Sequence, residues 1–137
     1  MKHLQYLIRT TFALMVIMTL FSCKDDEDNT QIPQNDAYYV KYEASSYFGF
    51  QATSTFSVNY TTENGVMKFE EENVGRSHSW DGTYGPFKKG DQIVLSIKCS
   101  VGEVTGRLYV SRNKEPFVIK AEGTKENKIE LKYTIYY

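Results

Sequence analysis

Residues 128–137 read KIELKYTIYY. Ile129, Leu131, Tyr133, Ile135 and Tyr137 occupy alternate positions, and Glu130, Lys132 and Thr134 lie between them. A period of two sends one set to each face of a strand. This strand therefore has one face on a core and one in water, the pattern of a packed antiparallel sheet. Its five apolar residues carry roughly several hundred Å² of buriable surface, worth several kcal/mol at about 25 cal/mol per Å².

The same alternation recurs upstream. Gln92 to Ser100 sets Ile93, Leu95, Ile97 and Cys99 on one face. Glu103 to Ser111 sets Val104, Leu108 and Val110 on one face, with Gly106 in line where something approaches closely. Phe117 to Glu122 places Phe117, Ile119 and Ala121 together, and Thr55 to Thr62 places Phe56, Val58 and Tyr60 together. Tyr38 to Ala44 and Val66 to Glu70 are further strand candidates, and Gly75 to Trp80 is a poorer one. Asn64-Gly65 favours positive φ at both turn positions, so a tight hairpin joins the strands on either side. Aromatics make up 15% of the chain and prolines number only three, a balance that suits pleated, half-buried surfaces. The expected domain is all-β: a single immunoglobulin-like β-sandwich of seven or eight strands spanning 37–137. A small closed barrel is the alternative.

The N-terminus has a different character. Lys2 and Arg9 precede an apolar run, Phe12 to Phe21, broken only by Thr19. A positive segment followed by about ten apolar residues fits a signal peptide, and a spanning helix needs roughly 20. Leu20, Phe21, Ser22 and Cys23 then resemble a lipobox, the cleavage and lipidation signal of bacterial lipoproteins. The resemblance implies removal of residues 1–22 and a diacylglycerol thioether on Cys23. Phe21 is bulkier than the strict motif allows, and such looser forms resemble Bacteroidota-type lipoproteins. Lys24, Asp25, Asp26, Glu27 and Asp28 resemble the surface-export signal of that group. They imply an outer-membrane protein facing the cell exterior, the periplasmic face being the alternative. Two or three acyl chains would anchor the protein without spanning the membrane.

Residues 23–36 hold one base and five acids, net −4, and residues 37–137 hold thirteen bases and twelve acids, net +1. The first segment is expected to be a flexible acidic tether, since like charges repel and extend. Its fourteen residues span at most roughly 45–50 Å. A nearly neutral domain argues against nucleic acid, which calls for a basic stripe.

The order YYVKYEAS, FSVNYTTENG, SWDGTYGPFKKGDQIVLSIKCS and GRLYVSRNKEPF resembles the MmpS family of small mycobacterial membrane proteins over Tyr38 to Phe117. That resemblance implies an exported β-sandwich behind a membrane anchor, acting as an accessory to an envelope transporter. The lipid anchor departs from that family's transmembrane helix. With only Cys99 in the domain, no disulfide within the domain can form.

Residues suited to chemistry are few. Cys99 shares parity with Ile93, Leu95 and Ile97, so it is expected inside as a small hydrophobe. His78 sits in a loop-like stretch, and a lone histidine does not build a zinc site. Glu70, Glu71, Glu72 and Asn73 read as an acidic turn without calcium-loop spacing. No catalytic or metal motif is apparent and no cofactor beyond the covalent lipid is implied, so a non-catalytic module is expected. Trp80 is expected in a loop between sheets, either anchoring it or offering a stacking surface. Tyr47, Phe48 and Phe50 flank Gly49 in an expected loop. They either close one end of the sandwich or form a recognition tip for a protein or glycan.

Overall fold

Six strands account for nearly all of residues 36–49 and 53–136, the residues that the computed structural model describes. They are β1 (Tyr38–Tyr47), β2 (Ser54–Thr61), β3 (Met67–Val74), β4 (Ser77–Phe87), β5 (Gln92–Arg112) and β6 (Val118–Thr134). A short 3₁₀ turn, Glu63–Gly65, joins β2 to β3 with Asn64 at φ 66° and Gly65 at φ 71°, both in the expected positive region. The described residues form an all-β domain, as their alternation predicts.

The sheet is folded along a crease. β6 pairs antiparallel with β5 over nearly its whole length. Along its other edge β5 takes β2 on its first half and β1 on its second. β3 then pairs with β2, and β4 with β1. The first layer is thus β3, β2 and the start of β5 with the end of β6. The second is β4, β1 and the end of β5 with the start of β6. Between the paired residues Lys98 and Glu103, β5 advances much further than β6 does from Lys128 to Glu126. Extra residues on one strand of a pair form a bulge and bend it. Gly102 at φ 98° and Asn127 at φ 60° lie at this bend.

Against the expected seven or eight strands, the described residues form six. Gln92–Ser100 and Glu103–Ser111 are halves of one bent strand, as are the two segments assigned after Pro116. Because the layers share two strands, the sandwich approaches a closed barrel. The poorer strand candidate Gly75 to Trp80 is the start of β4, which carries His78 and continues through SWDGTYGPF, where Trp80 is expected in a loop. The expected acidic turn at Glu70, Glu71, Glu72 and Asn73 is part of strand β3. Neither segment carries the regular apolar alternation that marks a strand in sequence.

The core lies between the layers. Tyr38, Val40 and Tyr42 from β1, Val58 from β2, and Ile93, Leu95, Ile97, Val104 and Leu108 from β5 are essentially inaccessible. A Cβ on Gly106 would stand 2.9 Å from Ile97 Cδ1 and 3.1 Å from Leu131 Cδ1. That is the close approach its place in the strand implied. Tyr42 donates its hydroxyl across the layers to the Thr61 carbonyl at 2.7 Å, and burial pushes its pKa well above the usual tyrosine value. Cys99 is buried with its thiol 3.6 Å from the Gly102 carbonyl, and burial raises its pKa too. Of the final apolar face, Ile129, Leu131 and Ile135 are buried and Tyr133 packs partly on the core. Tyr137 lies outside the described residues. Phe117 and Ile119 are 41% and 43% exposed while Ala121 packs against the core, so the three do not share one side as expected. A register shift pairs Leu108 with Ala121 but Tyr109 with Ile119, so Ile119 joins the outward face.

Asp36, counted with the tether, is clasped by the domain. Its carboxylate meets Arg112 at 2.8 Å and accepts from Asn113 Nδ2 at 2.7 Å. The Ala37 amide donates to Asn113 Oδ1 at 2.9 Å. Arg112, and then Asn113, hold the Asp36 carboxyl below its usual pKa. Lys41, and then Tyr109, do the same for Glu43, after allowing for an opposing effect of burial. The folded state therefore binds fewer protons than the unfolded chain as pH falls through the ordinary carboxyl range. Melting temperature is expected to be level from about pH 8 to 5 and to fall below about pH 4. Asp36→Asn should flatten that acid slope, measured by thermal melts across pH. An unchanged slope would remove the clasp from the account.

Candidate functional site

Alternation along three neighbouring strands of the second layer sorts their side chains. On β1 the even positions from Tyr38 to Ser46 go to the core, leaving Tyr39, Lys41, Glu43, Ser45 and Tyr47 outside. Register places Ser45 beside Ser79 and Thr105, and Glu43 beside Asp81 and Arg107. These outward groups line a half-open depression of about 270 Å³ centred on β1.

One part of its lining is fixed. Lys41 Nζ lies 2.7 Å from Glu43 Oε1, and Tyr109 donates its hydroxyl to Glu43 Oε2 at 2.8 Å. The Lys41 ammonium also sits 5.6 Å from the centre of the Tyr109 ring. Hydrogen bonding to Glu43 raises the pKa of both Lys41 and Tyr109. Thr105 and Thr124 share a 2.8 Å hydrogen bond.

The other part is less committed. Ser45, Ser79 and Asp81 make no side-chain hydrogen bond or ion pair among the described residues. Arg107 forms two long ion pairs, 3.7 Å to Glu43 and 3.6 Å to Glu122, with no hydrogen bond to either. At the crease end, Tyr47 is 65% exposed and pairs in register with Ser77 and Glu103.

Trp80 faces the other way. Its ring lies 4.8 Å from that of Tyr60, and Tyr60 is also 4.8 Å from Tyr84. The Trp80 indole N–H donates to Glu70 Oε2 at 2.9 Å, and Tyr60 donates to Glu70 Oε1 at 2.5 Å. Burial, and then the bond to Glu70, push the Tyr60 pKa up. Nearer the crease, His78 lies edge-on to Phe56 at 4.9 Å, with Nε2 3.8 Å from Glu72. No backbone ladder joins β3 to β4 among the described residues. Glu70 and the stacked rings hold that seam, and so hold the strand that presents Ser79 and Asp81 outward. Trp80 anchors the site from behind.

The aromatics expected as a recognition tip are separated. Tyr47 is outward, while Phe48 is 5% exposed in the core, with its amide bonded to the Arg76 carbonyl at 3.1 Å. Phe48 closes the crease, and of these three aromatics Tyr47 alone, among the described residues, is left for a recognition tip. Phe50 lies outside the described residues, as do Cys23, Lys24, Asp25, Asp26, Glu27 and Asp28. Ser45, Ser79, Asp81 and Arg107 were not singled out from sequence. Their outward parity is legible, but their assembly depends on which strands are neighbours.

The fold and face define a two-layer all-β domain with a polar depression on one outer surface. No family model, curated protein or solved structure matches the chain.

Proposed function

We propose that this chain is a Bacteroidota-type outer-membrane lipoprotein. A lipid on Cys23 anchors it, the segment Lys24–Asp28 directs it to the cell exterior, and its β domain is a non-catalytic binding module. The anchor rests on the apolar run ending in Leu20, Ser22 and Cys23. The binding role is carried by one observation: Ser45, Ser79 and Asp81, without side-chain partners among the described residues, line a depression with Arg107, and exposed Tyr47 follows Ser45 on the same face of β1. Position supports it. The chain enters the domain at clasped Asp36, and β1 runs from there to Tyr47 over about 30 Å. The Tyr47 end is thus the one far from the point of attachment.

Cells expressing the wild-type chain should lose the domain to externally added protease, and Cys23→Ala should release it from the membrane fraction. A domain that stays protected on intact cells would place it on the periplasmic face. A Cys23→Ala chain that stays membrane-bound would refute the anchor.

A second reading, an accessory subunit of an envelope complex, is favoured by β3. On the outward face of that strand Met67 and Phe69, next to Val66, are at least half exposed. Contiguous exposed apolar side chains mark protein contact surfaces. An obligate subunit should co-purify with a stoichiometric partner, and a ligand-binding module should not.

A further inference from the structure

We propose that the outer depression takes a neutral saccharide, an inference that rests on reading this face as a binding surface. Its charges balance: Lys41 and Arg107 stand against Glu43 and Asp81. An anionic ligand would meet the two carboxylates, and a cationic one would meet the ammonium and guanidinium. An apolar ligand would strip water from hydroxyl, carboxylate and guanidinium groups and return no hydrogen bonds. A sugar ring carries adjacent hydroxyls that each donate and accept. Asp81 can accept, and Ser45 and Ser79 can do either, without breaking an existing bond, while Arg107 can donate from its place between the carboxylates of Glu43 and Glu122. Tyr47, exposed two residues beyond Ser45 on the same face of β1, offers a flat ring for the apolar C–H face of a sugar that extends past the depression.

Size and topology favour the same class. About 270 Å³ suits about one or two sugar rings. An extended peptide would draw its affinity from main-chain bonds to a free strand edge. The depression is centred on β1, whose two edges are taken by β4 and β5. Only side chains are offered there.

The test uses the full chain, purified in detergent, on columns of immobilised neutral glucan, mannan and galactan, with heparin as the anionic comparison. Retention on a neutral column and elution by its free oligosaccharide are expected. Asp81→Ala and Tyr47→Ala should each weaken retention about tenfold, with melting temperature within about 2 °C of wild type. Retention on no neutral column, or on heparin alone, would overturn the saccharide assignment. So would neutral retention that both variants preserve. If Asp81→Ala and Tyr47→Ala instead abolish capture of an envelope protein while no sugar column retains the chain, the saccharide fails and the binding face stands. If neither variant alters any binding, the face itself fails.

Discussion

Truncation after Leu131 is expected to abolish cooperative unfolding of the domain. The cut removes Tyr133, partly packed on the core, and Ile135, which is fully buried. It also removes the pairing of Val94, Ile93 and Gln92 with Lys132, Tyr133 and Thr134. Two further bonds go with it: Gly90 N–H to the Ile135 carbonyl at 2.8 Å, and Ile135 N–H to the Asp91 carbonyl at 3.1 Å. Those bonds secure the connection by which the chain passes from β4 in one layer to β5 in the other. Loss of one buried isoleucine side chain alone costs about 2–5 kcal/mol. Unpaired strand ends and an opened core add to that, against a total stability of about 5–15 kcal/mol. Circular dichroism of the truncated chain should show no sigmoidal melt. A transition within a few degrees of wild type would mean that the core lies elsewhere.

Gly102→Ala is expected to cost about 3 kcal/mol or more, through a different mechanism. The residue sits in the crease at φ 98°, where a side chain is strained whatever the space around it. A Cβ there would also lie 2.5 Å from the Tyr47 carbonyl oxygen, 2.5 Å from Phe48 Cβ and 2.8 Å from Phe48 Cα. Those are mostly main-chain atoms, fixed because Phe48 is buried and its amide is bonded to Arg76. Relief requires the end of β1 to move away from β5 at the bend. Gly65 gives the contrast: at φ 71° with no atom within 4 Å of its Cβ position, alanine should cost only about 1 kcal/mol. Urea midpoints of the two variants should therefore differ clearly. Equal midpoints would show that the crease is not held closed at Phe48.

Much of this architecture was legible in the alternation of single strands. Ile93, Leu95 and Ile97, then Val104 and Leu108, then Ile129 and Leu131, go where their parity sends them. The continuity of β5 and β6 was not legible. Gly102 and Asn127 look like strand breaks in sequence, whereas here they bend strands whose pairing continues on both sides. β3 escaped notice beyond Glu70 because it is an edge whose inner positions are Lys68, Glu70 and Glu72, side chains that mimic a loop. β4 showed only as a poor candidate ending at Trp80, because its inner positions are His78, Trp80, Gly82 and Tyr84, mixed in polarity and size. The site was half legible for a related reason. Tyr47 stands out as an aromatic at a strand end. Ser45, Asp81 and Arg107 become one surface only when β4 and β5 flank β1, and that adjacency is a property of the folded sheet.

The proposal that this domain is carried on a lipid is tested most directly by the intact mass of the mature protein from its membrane fraction. The expected product begins at Cys23 and carries a thioether-linked diacylglycerol. A chain that begins elsewhere, or a Cys23 bearing a free thiol, would contradict it.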